Sequence, residues 1–171
     1  IQNVARHEVF LYFGGYCALS SKVFDVNLRP PFYEQTLIEH LLQKANIVKM
    51  NDEELEEIIG WYDITTDIKQ QMCFIKKRFN IETLVVTAGK DGAYCIHNHV
   101  LYHQKGFPVT VKDTVGSGDS FLAAFIFKML HQASWQECLE FACATGALVA
   151  TQTGGTPSIK EDNVLDFIER K

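Results

Sequence analysis

The sequence predicts an α/β domain with a mostly parallel central sheet, and three observations predict it. Short β-branched and aromatic runs alternate with longer stretches of helical periodicity, the order that lays helices against a sheet. The 171 residues, 47% of them hydrophobic, suffice for one domain with a real core. No repeat, linker or low-complexity segment interrupts the chain.

The elements follow in order. "VFLYFG" and "KVFDVN" read as strands. After Pro30 and Pro31, the spacing of Leu37, Ile38, Leu41 and Leu42 predicts a helix. "ANIVKM" is a short buried strand, followed by the acidic helix start "NDEELEEIIG". From Thr66 or Asp67 a second helix places Ile68, Met72, Ile75 and Phe79 on one face. "TLVVTAG", "GAYCIHN" and "VLYHQKG" read as three strands. Helices are expected from about Gly118 to His131, from Ser134 to about Thr151, and from about Lys160 to the end. One junction is anomalous: only "GGYCALSS" separates the first two strands, whereas a parallel crossover needs a dozen or more residues. Either those strands pair antiparallel, or chain is missing near residues 20–22, and the second is the expectation here.

Charge and cysteine usage exclude several classes. Sixteen basic against twenty-one acidic residues give a net charge of -5, and no long basic run offers a nucleic-acid or anionic-membrane surface. The longest apolar run, Phe121 to Phe127, is too short to cross a bilayer. The start "IQNVARHEVF" lacks a signal-peptide layout. Five scattered cysteines without a CxxC pair read as thiols of a reducing cytoplasm. His97, His99 and His103 invite a zinc test, but without a carboxylate or cysteine partner they read as polar hairpin residues.

Chemistry concentrates in "KDTVGSGDSF", where Gly116, Ser117, Gly118 and Asp119 stand directly before the apolar run "FLAAFIFKML". A helix start leaves backbone N–H groups unpaired at an electropositive end. Glycines there permit positive φ and keep side chains out of a ligand's way. The amides of Gly116, Ser117 and Gly118 therefore read as an anion cradle for a phosphate. A carboxylate beside a bound phosphate repels it, and phosphoryl transfer gives Asp119 a purpose, as the base that deprotonates an attacking hydroxyl. The bland reading makes Asp119 a first-turn acid favoured by the helix dipole. A dinucleotide fingerprint is excluded by Phe121 at its third glycine, and no GxxxxGK[ST] loop occurs. Val115 before Gly116 breaks the nucleophile elbow of a serine hydrolase.

"DTVGSGDSF" resembles the signature of the carbohydrate kinases related to ribokinase and fructokinase (the PfkB family), with Ser117 where alanine is usual. Three further stretches agree in order: "FDVNLRPPFY" with its Asp-x-Asn-x-Arg strand end, most like the fructokinase branch, "NDEE" with Asn-x-x-Glu, and "TAGKDG" with Thr-x-Gly-x-x-Gly. "GGTPS" is similar to the loop that closes the nucleotide site, which brings in Gly154. The resemblance implies a ribokinase-like three-layer sandwich of which the amino-terminal half and lid are absent from this carboxy-terminal portion.

The resemblance also implies roles. Asp119 would be the base, and Gly116, Ser117 and Gly118 the anion hole for the γ-phosphate of ATP. Asn51 and Glu54, whose spacing is that of a helix capping box, would order Mg²⁺-bound waters. Thr87, Gly89 and Gly92, ordinary turn chemistry by themselves, would contact ATP at a strand end. Asn27 and Arg29 would meet the sugar, and Arg29 reads equally as a surface residue closing a strand. Asp113 would lie at a monovalent cation site, with K⁺ the candidate, completed by the segment from Val149 to Ser158. Cys143 falls where relatives carry Asn or His near the base. The implied activity is an ATP-dependent sugar kinase acting on fructose. The alternatives are 2-keto-3-deoxygluconate, ribose or a nucleoside, and a non-catalytic nucleotide- or sugar-binding relic. A homodimer joined through lids would be the full-length form.

Overall fold

The computed structural model describes residues 11–13, 21–29, 32–154 and 157–170. Of these, residues up to Val86 together with Ile96–Val100 form one compact unit, and Thr87–Cys95 with the residues from Leu101 onward form a second. The junction near Ser20 and part of the "GGTPS" loop, residues 155 and 156, lie outside the described residues.

In the first unit the strands lie in the order β1 (Leu11–Phe13), β2 (Ser21–Asp25), β3 (Ile47–Asn51) and β4 (Thr83–Thr87, whose last residue belongs to the second unit). β1 and β2 pair antiparallel, Leu11 opposite Val23, which is the first of the two arrangements the short junction allowed. β2 and β3 pair parallel, Val23 opposite Ile47 and Asp25 opposite Lys49, joined through helix α1 (Gln35–Lys44) as a parallel crossover requires. β3 reaches β4 through α2 (Asp52–Gly60) and α3 (Ile68–Arg78).

These helices are short, and isolated helices of such length are marginal in water, so packing must hold them. In α2 the buried face is Leu55, Ile58 and Ile59, and in α3 it is Met72 and Ile75, each side chain worth about 1.5–3 kcal/mol when removed from water. The capping box predicted for α2 is present: Asn51 Oδ1 accepts the Glu54 N–H at 2.7 Å, and Glu54 Oε2 accepts the Asn51 N–H at 2.8 Å. α3 starts on Asp67, as expected, and is followed by Asn80 at φ 53°, a left-handed stop.

The second unit holds most of β5 (Ala93–His97) and β6 (Val100–Gln104), followed by helices α4 (Ser117–Leu130), α5 (Trp135–Ala150) and α6 (Glu161–Glu169). α4 is the most apolar element, with Phe121, Leu122, Phe125 and Ile126 buried. α5 begins on a Ser134–Glu137 capping box and buries Cys138, Leu139, Ala142 and Ala144. A Cβ at Gly146 of α5 would stand 3.3 Å from the Ser117 carbonyl, so the late part of α5 lies close against the start of α4. Burial pushes the Cys138 thiol up to about 11, with the Glu137 charge adding to it, and a thiol so held is inert.

A tight backbone approach closes the turn between β4 and β5. Gly92 has φ 96°, and a Cβ there would meet the Gln104 carbonyl oxygen at 1.9 Å and the Gly106 nitrogen at 2.6 Å. A Gly92→Ala change combines left-handed strain with a backbone clash and should cost about 3 kcal/mol or more. Gly89 is also left-handed, φ 49°, but faces open space, so Gly89→Ala should cost only about 1–2 kcal/mol. Urea denaturation of the two variants checks the ranking.

In the first unit His97 Nδ1 lies 2.8 Å from Oγ1 of Thr83, a residue only 1% exposed. Burial holds the imidazole below its usual value of 6.5; the Glu82 charge opposes this and Lys76 adds to it. Below that value the unfolded chain binds a proton the folded one resists, so stability is whole above about pH 6.5 and declines as pH falls. The melting temperature should fall on moving from about pH 7.5 to 5.5, and His97→Gln should flatten that slope. An unchanged slope in the variant would remove His97 as its source.

Candidate active site

Helix α4 owes its unusual start to sequence. Its N-cap, Gly116, has φ 80°, a left-handed conformation that glycine adopts without strain, and no side chain caps the helix. The Ser117 N–H donates to the Thr114 carbonyl at 3.2 Å, and the helical ladder begins with Ser120 N–H to Gly116 C=O at 2.9 Å. The amides of Gly116, Gly118 and Asp119 have no acceptor among the described residues. Of the three donors expected in the cradle, Ser117 is thus already engaged in a turn, and Asp119 adds one that sequence reasoning missed. Asp119 is exposed, and its carboxylate has no hydrogen bond or ion pair among the described residues.

Beside this turn a cleft of about 580 Å³ opens within the second unit, a size suited to a small organic ligand. Its lining contains Thr87, Gly89, Gly92, Ser117 and Gly118 of the expected residues, and Cys143. Gly116 and Asp119 are not among the lining residues. Among the walls that sequence reasoning missed are Gly106, Phe107, Pro108, Val109 and Val111 after β6, and Gly146 and Ala147 from α5. The apolar residues suit a planar ring. A signal existed in Gly106, where a Cβ would overlap the Lys90 carbonyl at 2.2 Å, but it needs the fold to be read. The Ser117 Oγ is buried without a partner, so the cradle's donors are main-chain ones.

Asp113 ties two loops together. Its Oδ1 accepts the Val115 N–H at 3.0 Å and its Oδ2 the Gly154 N–H at 3.3 Å. The Lys112 N–H reaches the Ala150 carbonyl at 2.8 Å, and Gly154, φ 94°, turns the chain after α5. The segment before α4 and the segment after α5 are thereby held side by side.

A second group of expected residues sits in the first unit. Asn27 and Arg29 follow the end of β2 and are exposed, Asn27 at φ 46°. Glu54 is 8% exposed, and its Oε1 accepts the Leu28 N–H at 2.9 Å, so the motif after β3 touches the motif after β2. Lys49, 5% exposed, pairs with Asp25 at 3.0 Å, an ion pair not foreseen from sequence. Elsewhere His103 stacks on Tyr94, ring centroids 4.3 Å apart, and no cluster of three metal-ligating side chains occurs among the described residues.

Known proteins are similar to this chain in sequence and fold. Residues 8–162 match the profile of the pfkB family carbohydrate kinases. A tagatose-6-phosphate kinase of Staphylococcus epidermidis is 34% identical over 140 residues, covering 80% of this chain and 44% of that enzyme. Among solved structures, an Arabidopsis thaliana ribokinase complexed with ribose and ATP superposes with a TM-score of 0.72 at 27% identity, over 86% of this chain and 47% of that one. A Vibrio cholerae fructokinase double mutant, bound to fructose, ADP and potassium ion, gives 0.74 at 25% identity, over 85% and 49%. The chain therefore spans about half the length of the relatives it matches, and within that span it carries their ribokinase-like fold. With its family profile matched over most of its residues, and with a glycine-started helix bordering a glycine-lined cleft, the chain belongs to the pfkB family of carbohydrate kinases.

Proposed function

We propose that the protein containing this chain transfers the γ-phosphoryl group of ATP to a sugar hydroxyl, with fructose the first candidate acceptor. The observation that carries this reading is the first turn of α4. Unpaired amides of Gly118 and Asp119 stand on the same turn as an unpartnered Asp119 carboxylate. Amides there stabilise charge on the migrating group, while the carboxylate takes the proton of the attacking hydroxyl. The hydroxyl oxygen bonds to phosphorus as the bond to the bridging oxygen of ADP breaks. The nucleotide lies in the apolar cleft, whose rim is shaped by the close backbone approach that Gly92 and Gly106 permit.

The metal expected with ATP is tested by the donor set. Both Glu54 oxygens already accept a main-chain N–H, so the carboxylate fits a role through water and not as a direct ligand. When bound, Mg²⁺ neutralises charge on the phosphates. Both Asp113 oxygens are likewise engaged, which suits a residue that shapes a cation site while carbonyls would hold K⁺. The described thiols of Cys73 and Cys138 are free, which accords with a reducing cytoplasm as the proposed setting.

The acceptor is the open choice within the class. Arg29 is exposed and its side chain has no partner among the described residues, and its planar fork suits an anionic acceptor as well as a neutral one. The likeness to a tagatose-6-phosphate kinase therefore favours a phosphorylated ketose as the second candidate.

The test is a substrate panel on the full-length protein: fructose, tagatose 6-phosphate, 2-keto-3-deoxygluconate, ribose and a nucleoside, each with ATP. Asp119→Asn should lower turnover of the accepted substrate by about 10²–10⁴-fold while ATP binding, measured by calorimetry, survives. Near-normal turnover in the variant would remove Asp119 from its role, and no phosphorylation of any panel member by the native protein would overturn the sugar-kinase reading.

A further inference from the structure

Glu54 does something that its expected place beside a metal does not require. The carboxylate is buried, and its two oxygens face two different main-chain donors: Oε2 accepts from Asn51, closing the α2 cap, and Oε1 accepts from Leu28 in the segment after β2. Leu28 stands between Asn27 and Arg29, the two exposed residues assigned to the acceptor. The near end of that segment is already fixed, because the Val26 N–H reaches the Lys49 carbonyl at 3.0 Å and Lys49 pairs with Asp25. Asn27 then takes a left-handed φ of 46°, a conformation that is uncommon outside glycine and persists where the surroundings enforce it. The bond from Leu28 to Glu54 follows that turn directly, and the Arg29 carbonyl next accepts the Phe32 N–H at 2.8 Å. Among the described residues, the Glu54 bond is the one that ties the backbone between Asn27 and Arg29 to the end of β3.

We infer that Glu54 is a positioning residue for the acceptor: through the Leu28 amide it fixes the segment that presents Asn27 and Arg29, independently of any metal. This deepens the function proposed above and rests on its assignment of Asn27 and Arg29 to the sugar. The chemistry requires a carboxylate. A glutamine has one accepting oxygen and one NH₂ donor, so it cannot serve two N–H groups that approach from different sides. It can still close the capping box, in which Glu and Gln both serve. Glu54→Gln therefore spares the α2 cap and gives up the Leu28 tether.

The experiment uses the full-length protein and measures binding of the sugar that the substrate panel identifies, without nucleotide and with EDTA present. If Glu54 acts by positioning, the Kd of that sugar rises by about tenfold or more in Glu54→Gln, the scale of one lost charge-assisted hydrogen bond. A Kd within about twofold of the native value, too small for such a loss, assigns Glu54 to the metal alone and overturns the inference. Hydrogen exchange read at the Leu28 amide supplies a measurement that needs no ligand: exchange should quicken by about tenfold or more in the variant. Unchanged exchange overturns the tether directly. Failure of the native protein to bind any sugar would instead strike the proposed function, leaving the exchange measurement to judge Glu54.

Discussion

Gly116 in its left-handed conformation is the constraint on which the candidate site depends. A helix start must place its first amides somewhere, and the other well-capped helices place them on their own side chains, Asn51 and Glu54 for α2 and Ser134 and Glu137 for α5. In α4 the N-cap has no side chain to offer, and the chain turns into the helix through a φ that a larger residue resists. The Gly118 and Asp119 amides are left pointing out of a helix end that carries partial positive charge. An anion at such a position gains about 0.3–1 kcal/mol from the dipole alone when exposed, and more where apolar walls keep water away. The apolar cleft lined by Phe107, Val109 and Phe121 supplies such walls.

Much of this was legible in the sequence, and the legible parts share a character. "DTVGSGDSF", "NDEE" and "TAGKDG" are local: each specifies a turn, a cap or a helix start by residues within a few positions of one another. Periodicity likewise found α1 around Leu37–Leu42 and placed the start of α3 and both ends of α5 within a residue or two, and α4 begins one residue before the expected Gly118. What was not legible joins residues far apart in the chain. The pairing of Asp25 with Lys49, the overlap that forbids a side chain at Gly106, and the bond from Leu28 to Glu54 each need two segments to be brought together first. Lys49 is the clearest case. The lysine inside the buried strand "IVKMN" has no partner within its own segment, and parallel pairing sets it opposite Asp25. The antiparallel pairing of β1 with β2 was open for the same reason.

Main-chain groups and glycines dominate the cradle, and that bears on how function is distributed over the chain. Amide donors do not depend on side-chain identity, so Ser117 in place of alanine leaves them untouched. Its hydroxyl is buried and unpartnered beside the cleft, a placement that costs about 1–3 kcal/mol while no partner is bound. Main-chain donors of this kind suit a phosphate whatever the side chains nearby, but they cannot tell one acceptor from another. Selection has to come from side chains elsewhere, and in this chain the exposed candidates are Asn27 and Arg29.

Two exposed side chains can select only if the backbone beneath them is held still, because each rotamer fixed on binding subtracts from the affinity gained. The segment after β2 meets that condition through main-chain bonds and buried charge. The Val26 N–H bonds to the Lys49 carbonyl, Asp25 holds Lys49, and Leu28 bonds to Glu54. Glu54 in turn is fixed by its own cap at Asn51, so one carboxylate joins the end of β3, the start of α2 and the segment after β2. Removing Asp25 would take its carboxylate from the buried Lys49 ammonium, at a cost of about 3–5 kcal/mol. The acceptor's specificity in this reading is written in two residues, but the ability to express it resides in Asp25 and the buried Lys49 and Glu54, none of which needs to touch the sugar.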